Sequence, residues 1–314
     1  MQFAPVSAII PTKNRPDDLR RTVQTLLEET VLPHEVIVVD QSLDKQSCDA
    51  VQEEFRRAGE HLPALPRLHY IHDTSIRGLS AARNAGMAVA EESIWLFLDD
   101  DVIIDPDFTK ELMQAYSGRK PADGASGIIT NYASPSLAYR LWTQIFIRGP
   151  YQDKRQPIYW NADDLNHSGV LLRVPMLSGG LMSFCSELIR HIPFDVRASD
   201  CQCEDFDYCI LLGNDTRLVI VPSARLKHMA SPQARQESHW IRRYALSYAF
   251  IYRKHFSSRL IDRVRYYWLH LGLGLIAATA SLHRFSLEPW RTYVTSTQEG
   301  FAAARESLRL RPKT

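Results

Sequence analysis

The stretch Ile94-Trp95-Leu96-Phe97-Leu98-Asp99-Asp100-Asp101 decides how this chain folds. Its first five residues are apolar without interruption, too short a run for a helix and lacking the alternation of a half-exposed strand. A strand with no polar side must be covered on both faces, which calls for a parallel sheet with helices above and below. In open sheets of that kind ligands gather beyond the carboxyl ends of the strands, where the three aspartates stand.

Working outward from it, the N-terminal third repeats one pattern. Short apolar runs at 6–10, 35–39 and 68–71 read as further strands, and helical patterns fill the gaps. Pro16 opens the first helix at a position where its missing N–H costs nothing, with Leu19, Val23, Leu26 and Leu27 as its apolar stripe. A second helix is expected over 49–58. A third, over 78–91, carries Ala81, Ala82, Ala85, Ala88 and Ala90, a slim surface suited to close packing on a sheet.

Beyond Asp107 the periodicity loosens. Residues 117–175 read as loops with short strands, being rich in Gly, Pro, Ser, Asn and aromatics. Order returns at 177–191, followed by a loop holding Cys201 to Asp207, a helix to about Leu212, and a strand over 217–221 closed by Pro222. From Gln236 onward the pattern is helical and aromatic-rich. The expected division is an α/β domain over 1–232 and a helical region over 233–314. Gly272-Leu273-Gly274-Leu275-Ile276-Ala277 matches a dinucleotide fingerprint by letters, but it follows no strand, so helix packing explains it better. No internal repeat is present.

A length of 314 residues with 45% hydrophobic content supports a sizeable core. The formal net charge of +1 provides no overall field for nucleic acid, and none is expected as a partner. The five cysteines, Cys48, Cys185, Cys201, Cys203 and Cys209, are odd in number and unevenly spaced, which suits free thiols in a reducing compartment. No cleaved signal is read at the N-terminus, so the cytoplasm is the expected location and the sequon-like Asn166-His167-Ser168 is expected to be idle. The apolar segment 264–282 has the length of a membrane span, yet Arg265, His270 and two glycines make it a poor one.

Each predicted strand ends in polar residues: Pro11-Thr12-Lys13-Asn14-Arg15, Asp40-Gln41-Ser42, Asp73 to Arg77, and Asp99-Asp100-Asp101. If strand geometry persists, Asp99 and Asp101 point one way and Asp100 the other. Two hard oxygen donors on one side suit Mg2+ or Mn2+, which complete their shell with water and substrate phosphate. A bare D-x-D is more often a solvated acidic loop, and only its place at the sheet edge argues otherwise. Asp40 could accept a hydrogen bond from a base or ribose, and Arg15, Arg77 and Arg83 could meet phosphate.

Further on, Glu204-Asp205-Phe206-Asp207 opens a helix, where acids are also favoured by the dipole alone. Glu204 or Asp205 could instead act as a general base on an acceptor hydroxyl. His228 could supply an imidazole to a metal, although a lone histidine is usually structural. Cys201, Cys203 and Cys209 lack the paired spacing of a zinc site.

Taken together these segments resemble the family 2 glycosyltransferases, which have the GT-A fold, a Rossmann-like, mostly parallel sheet flanked by helices. The resemblance rests on Val6-Ser7-Ala8-Ile9-Ile10-Pro11-Thr12-Lys13-Asn14-Arg15, on Glu35-Val36-Ile37-Val38-Val39-Asp40, on Arg77-Gly78-Leu79-Ser80-Ala81-Ala82-Arg83-Asn84-Ala85-Gly86, and on Leu96-Phe97-Leu98-Asp99-Asp100-Asp101. It continues through Gly179-Gly180, Glu204-Asp205 and the stretch from Pro222 to His228, covering about residues 6–230. It implies a nucleotide-sugar donor, with Pro11, Thr12, Asn14, Arg15, Asp40, Arg77, Arg83, Asp99 and Asp100 around it and Asp40 at the base. It implies a Mn2+ or Mg2+ ion on Asp101, Asp99 and His228, and Asp205 as catalytic base with Glu204 as second candidate. One departure stands out: relatives carry a second acid and Gly-Ser after the strand-two aspartate, where this chain has Gln41-Ser42. UDP is therefore not preferred over dTDP or GDP.

The expected reaction is an inverting transfer to a hydroxyl of a glycan or lipid-linked glycan acceptor. A nucleotidyltransferase on a similar sheet needs a Gly-rich phosphate loop after strand one, which Pro11 to Arg15 does not provide. A non-catalytic nucleotide-sugar-binding protein would have no need of Asp99, Asp101, Glu204, Asp205 and His228 together. In the C-terminal region Arg242, Arg243, Arg253, Lys254, Arg259, Arg263 and Arg265 lie among Tyr, Trp and Leu, a pattern of interfacial helices on anionic lipid and equally of a solvated basic face. Peripheral attachment to the cytoplasmic face of the membrane is the expectation.

Overall fold

The computed structural model describes residues 2–155, 158, 170–229 and 239–310. Asn166-His167-Ser168, Gln236 and the 232/233 boundary lie outside the described residues. The chain divides into two compact units, one of residues 1–133, 154–194 and 208–230, the other of 134–153, 195–207 and 231–314.

The first unit holds β1 (Gln2–Thr12), α1 (Pro16–Leu27), β2 (Val31–Asp40), α2 (Gln46–Gly59), β3 (Arg67–His72), α3 (Leu79–Met87), β4 (Ile94–Leu98), β5 (Val102–Ile104), α4 (Phe108–Leu112), β6 (Gly124–Ile129), β7 (Leu172–Arg173), β8 (Leu181–Cys185), α6 (Ser186–Ile189) and β9 (Leu218–His228). The strands form one sheet in the order β3-β2-β1-β4-β8-β6-β9-β5, with β7 also on β9. β3, β2, β1 and β4 are mutually parallel, as the repeated apolar runs predict, and β8 then joins β4 antiparallel. Val6, Ala8 and Ile10 of β1 and Val36 and Val38 of β2 share a core with Leu19, Val23 and Leu26 of α1 and Val51 and Phe55 of α2. The alternate residues Ile9, Ile37 and Val39 are just as buried, because α3 packs on β1 and β2. Fully burying each such side chain contributes about 1.5–3 kcal/mol.

Several elements differ from the sequence reading. α3 ends at Met87 rather than 91, in a turn closed by Ala88 and Ala90 N–H bonds to the carbonyls of Asn84 and Gly86. β9 runs straight through Pro222 to His228. Proline is tolerated there because the β6–β9 register shifts between the pairs Ser126–Ile220 and Ile128–Arg225, and Pro222 falls in that irregular stretch, where no ladder N–H is required. Amphipathic α5 (Leu137–Phe146) stands where loops were expected, its start capped by the Ser136 hydroxyl, which accepts from Tyr139 N–H.

The second unit holds α5, α7 (Val196–Asp200), the first turn of α8 (Glu204–Leu212), α9 (His239–Ile251), a π-helical turn (Tyr252–Phe256), α10 (Leu260–His283) and α11 (Glu288–Leu310). Glu204 to Asp207 open that helix, as expected, and the loop before them ends at Cys203. Gly272 lies in mid-α10, where an added Cβ would sit 2.4 Å from the Phe146 ring, so this glycine serves packing against α5. All five cysteines are free thiols. No described helix is long and apolar enough to cross a membrane.

Candidate active site

Asp99, Asp100 and Asp101 form the turn between β4 and β5, and α1 holds that turn in place. The Thr22 hydroxyl lies 2.9 Å from the carbonyl oxygens of Asp100 and Val102 and accepts from Val102 N–H at 3.0 Å, while Thr25 Oγ1 accepts from Ile104 N–H at 3.2 Å. Thr22 sits on the buried side of α1 with no exposed surface, a polar residue in an apolar stripe that could have flagged this job. Strand geometry stops at Leu98, so the alternation assumed for Asp99 and Asp101 does not run through them. The turn produces the same division by other means.

Asp99 and Asp101 converge with His228: one ligand atom from each lies within 4.8 Å of the others. The His228 Nε2 is 2.9 Å from Asp101 Oδ1 and 3.8 Å from Asp99 Oδ2. His228 arrives at the end of β9, where it pairs with Val102 of β5. Its N–H donates to Asn131 Oδ1 and its carbonyl accepts from Asn131 Nδ2, both at 2.9 Å, and the next N–H, of Met229, donates to the Asp101 carbonyl at 2.7 Å. Two carboxylate oxygens and one imidazole nitrogen are a donor set that fits a divalent cation such as Mg2+ or Mn2+.

Asp100 stands outside that group. Its Oδ2 accepts from the Thr12 hydroxyl at 2.7 Å and its Oδ1 from Arg15 Nη1 at 3.2 Å; Arg15 also lies 3.5 Å from Asp101 Oδ2. Burial pushes the Asp100 carboxyl up to about 6 despite Thr12 and Arg15. For Asp101 burial acts in the same direction, but the His228 hydrogen bond and charge, with Arg15, hold it below the usual carboxylate range. The Asp101 hydrogen bond raises His228 above its ordinary value, burial opposing.

Asp99 is set from behind. Arg83, 1% exposed, donates to the Gly179 carbonyl at 2.8 Å and lies 3.6 Å from Asp99 Oδ1, so its fork is enclosed and faces the aspartate. The Asp99 N–H donates to the Gly180 carbonyl at 3.2 Å, and a Cβ on Gly180 would fall 2.5 Å from Asp99 Oδ2. Any side chain at 180 would displace the carboxylate. That is the close approach the Gly179-Gly180 pair allows.

Asp40 is wholly buried, its carboxylate accepting from the Tyr70 hydroxyl at 2.7 Å and from Ser42 N–H at 2.8 Å. Ser42 Oγ accepts from the N–H of Asn14, an exposed residue held at φ 55°. Gln41 Oε1 accepts from Gly78 N–H at 2.9 Å, tying the loop before α3 to the end of β2. The departure at Gln41 thus has a structural use. Pro11 and Thr12 are buried, and Arg77 is exposed.

Glu204 and Asp205 belong to the second unit, half-buried on the first turn of α8, where Asp205 Oδ1 accepts from Phe206 N–H at 2.7 Å. Asp207 is enclosed in ion pairs with Lys254 and His255, which accounts for it structurally. Lys254, counted in sequence among the basic surface residues, has a side chain only 1% exposed.

The family model described as Glycosyl transferase family 2 matches residues 7–180. The chain is 31% identical over 129 residues to validoxylamine A glucosyltransferase of Streptomyces hygroscopicus subsp. limoneus, 40% of this chain and 27% of that protein. It is 27% identical over 162 residues to the putative glycosyltransferase EpsH of Bacillus subtilis (strain 168), 52% of this chain and 43% of that one. The matches span about a quarter and under half of those relatives. Among solved structures, the mannosyltransferase PcManGT from Pyrobaculum calidifontis, in complex with GDP-Man and Mn2+, aligns with a TM-score of 0.57 and 18% identity over 97% of this chain and 87% of that one. At that identity the likeness is one of fold.

Proposed function

The chain belongs to glycosyl transferase family 2, and on that premise we propose that it moves a sugar, with inversion, from a nucleotide-sugar donor to a hydroxyl of a glycan or lipid-linked glycan acceptor in polysaccharide biosynthesis. The observation that carries the proposal is the convergence of Asp99, Asp101 and His228 beyond the carboxyl end of β4. Those three side chains would hold the cation, Mn2+ or Mg2+, which would neutralise the charge of the diphosphate as it departs.

The remaining work falls to the chain. Arg15 and Arg77 would meet phosphate oxygens, and Pro11, Thr12, Asn14 and Asp40 would shape the nucleotide end. Asp99 contacts the donor, with Arg83 acting on it from behind, and Asp100 holds Thr12 and Arg15 in position. Asp205, with Glu204 as second candidate, takes the proton of the acceptor hydroxyl. That oxygen bonds to the anomeric carbon as the bond to the diphosphate oxygen breaks, through an oxocarbenium-like transition state. The test is a panel of UDP-, GDP- and dTDP-sugars with Mn2+ or Mg2+ and a lipid extract of the source cells, scored for nucleotide release. Turnover of one donor above the metal-free control is expected. No turnover of any would overturn the reading.

The region from 233 onward is proposed to rest on the cytoplasmic face of a membrane. In support, Leu260, Val264, Tyr267, Leu271, Leu275 and Leu282 of α10 are each 51–75% exposed and recur at helical spacing along one side. Residues 239–310 hold eleven Lys and Arg against four Asp and Glu, in a chain whose total formal charge is only +1. Like charge disfavours pairing two such surfaces, whereas anionic lipid attracts them. Co-sedimentation is expected to be stronger with phosphatidylglycerol vesicles than with phosphatidylcholine vesicles. Equal binding to both, or none, would count against it.

A further inference from the structure

The second unit contains a buried ionic cluster that the proposed reaction does not use directly. Asp207 Oδ2 lies 2.8 Å from Lys254 Nζ, and its Oδ1 lies 2.7 Å from His255 Nε2. Lys254 also pairs with Asp195, whose other contacts are the Ser307 hydroxyl of α11 and the Arg197 N–H at the start of α7. The side chains of Lys254 and Asp207 are 1% and 2% exposed. Charges this enclosed lose their hydration, and a well-packed apolar substitute would stabilise a fold as well or better. What the ionic form adds is direction, since each oxygen of Asp207 is claimed by a separate donor.

Lys254 and His255 are neighbours in sequence, yet both reach one carboxylate. They do so from the π-helical turn Tyr252–Phe256, a wide turn that is rare and recurs at functional sites. α9 therefore gives up regular geometry where it meets Asp207. Asp207 stands two residues after Asp205 on the first turn of α8. At about 100° per residue the two side chains leave the helix on nearly opposite sides, so a fixed Asp207 fixes the direction in which Asp205 projects. Glu204, three residues before Asp207, leaves on the same side as the cluster.

We propose that Lys254 and His255, through Asp207, are positioning residues that set the rotation of the first turn of α8 and thereby aim Asp205 at the acceptor. The inference rests on the reading of Asp205 as the base. It gives the C-terminal helices a catalytic task apart from any membrane contact: they hold the acidic segment 204–207 in register.

The test uses the full chain and the sugar nucleotide that the panel shows to be turned over. The double variant Lys254→Met/Asp207→Asn removes one positive and one negative charge together. It is expected to lose at least about tenfold in kcat, with KM for the sugar nucleotide and calorimetric binding of GDP or UDP with Mn2+ within twofold of the parent. Amide exchange over 204–207 is expected to quicken while 94–104 stays unchanged. A merely structural cluster would move kcat, KM and nucleotide binding together, or none of them, and either outcome overturns the proposal. Should the double variant not fold, His255→Gln leaves the Lys254 pair intact; a several-fold loss in kcat alone is expected, and kcat within twofold of the parent overturns it. Asp205→Asn run in parallel separates the two claims. Full activity there sinks the base assignment, whereas an inactive Asp205→Asn beside a fully active double variant sinks the positioning.

Discussion

The molecule contains two clusters built from the same side chains, two aspartates and a histidine, and they have come to opposite ends. In the second unit Asp195, Asp207 and His255 enclose Lys254, an internal ammonium, and the group is complete when the chain folds. In the first unit Asp99, Asp101 and His228 meet with Arg83 enclosed behind Asp99 and Arg15 at the rim, 37% exposed, while Asp99 and His228 remain 28% and 25% exposed. Residue type does not separate a structural cluster from a ligand site. Enclosure does: one cluster closes around an internal ammonium, whereas the other keeps Asp99 and His228 partly open to solvent, where a divalent cation could enter.

Exchanging the counter-charges tests that contrast. Lys254→Met leaves the buried Asp207 with only His255 for a partner and Asp195 without its ammonium, and is expected to cost about 3–5 kcal/mol of stability in urea denaturation. A loss under about 1 kcal/mol would mean the ammonium is not what holds the cluster. Asp101→Asn is expected to do the reverse, lowering nucleotide release at least about a hundredfold with little change in the metal-free melting temperature. Full activity in this variant would remove Asp101 from the metal site.

A smaller effect sharpens the same line. Mn2+ at ten times its Kd should stabilise the parent by about 1.4 kcal/mol, and should leave Asp101→Asn unmoved. Smallest is the pH response. His228 is raised by its bond to Asp101, so the metal-free protein holds an extra proton between the ordinary histidine value and the raised one. The stability from this pair is present at low pH and is lost as pH rises through the folded value. With His228 a quarter exposed, solvent screens the pair and the loss is about 0.5–1 kcal/mol. Mn2+ affinity should rise over the same window, because the imidazole must shed its proton to bind, and His228→Gln should flatten both curves. Unchanged slopes in that variant would assign the titration elsewhere.

Much of the first unit was legible in sequence because its signals are local. Four apolar runs bounded by polar residues marked β1 to β4, and an aspartate at the end of a buried strand is conspicuous. The same local signals misplaced the end of β9, since Pro222 ends a regular strand but not one whose register shifts around it. α5 was missed because its surroundings are rich in turn-forming residues. Thr22 and Arg83 were readable only in part: a threonine in an apolar stripe and an arginine among alanines each hint at a buried partner without naming it. Lys254 misled outright, as a lysine among arginines reads as surface.

The sequence by itself determined the parallel half of the sheet, the family, and the acids and histidine that could bind a metal, because periodicity and strand-end position are properties of neighbouring residues. Only the tertiary structure decided which of them meet. Asp101 and His228 are brought together by the pairing of β5 with β9, and Asp207 and Lys254 by the folding of the second unit, which sets residues 47 positions apart in ion-pair contact. Contacts between residues so distant in sequence depend on the burial of whole elements, and no local pattern records them.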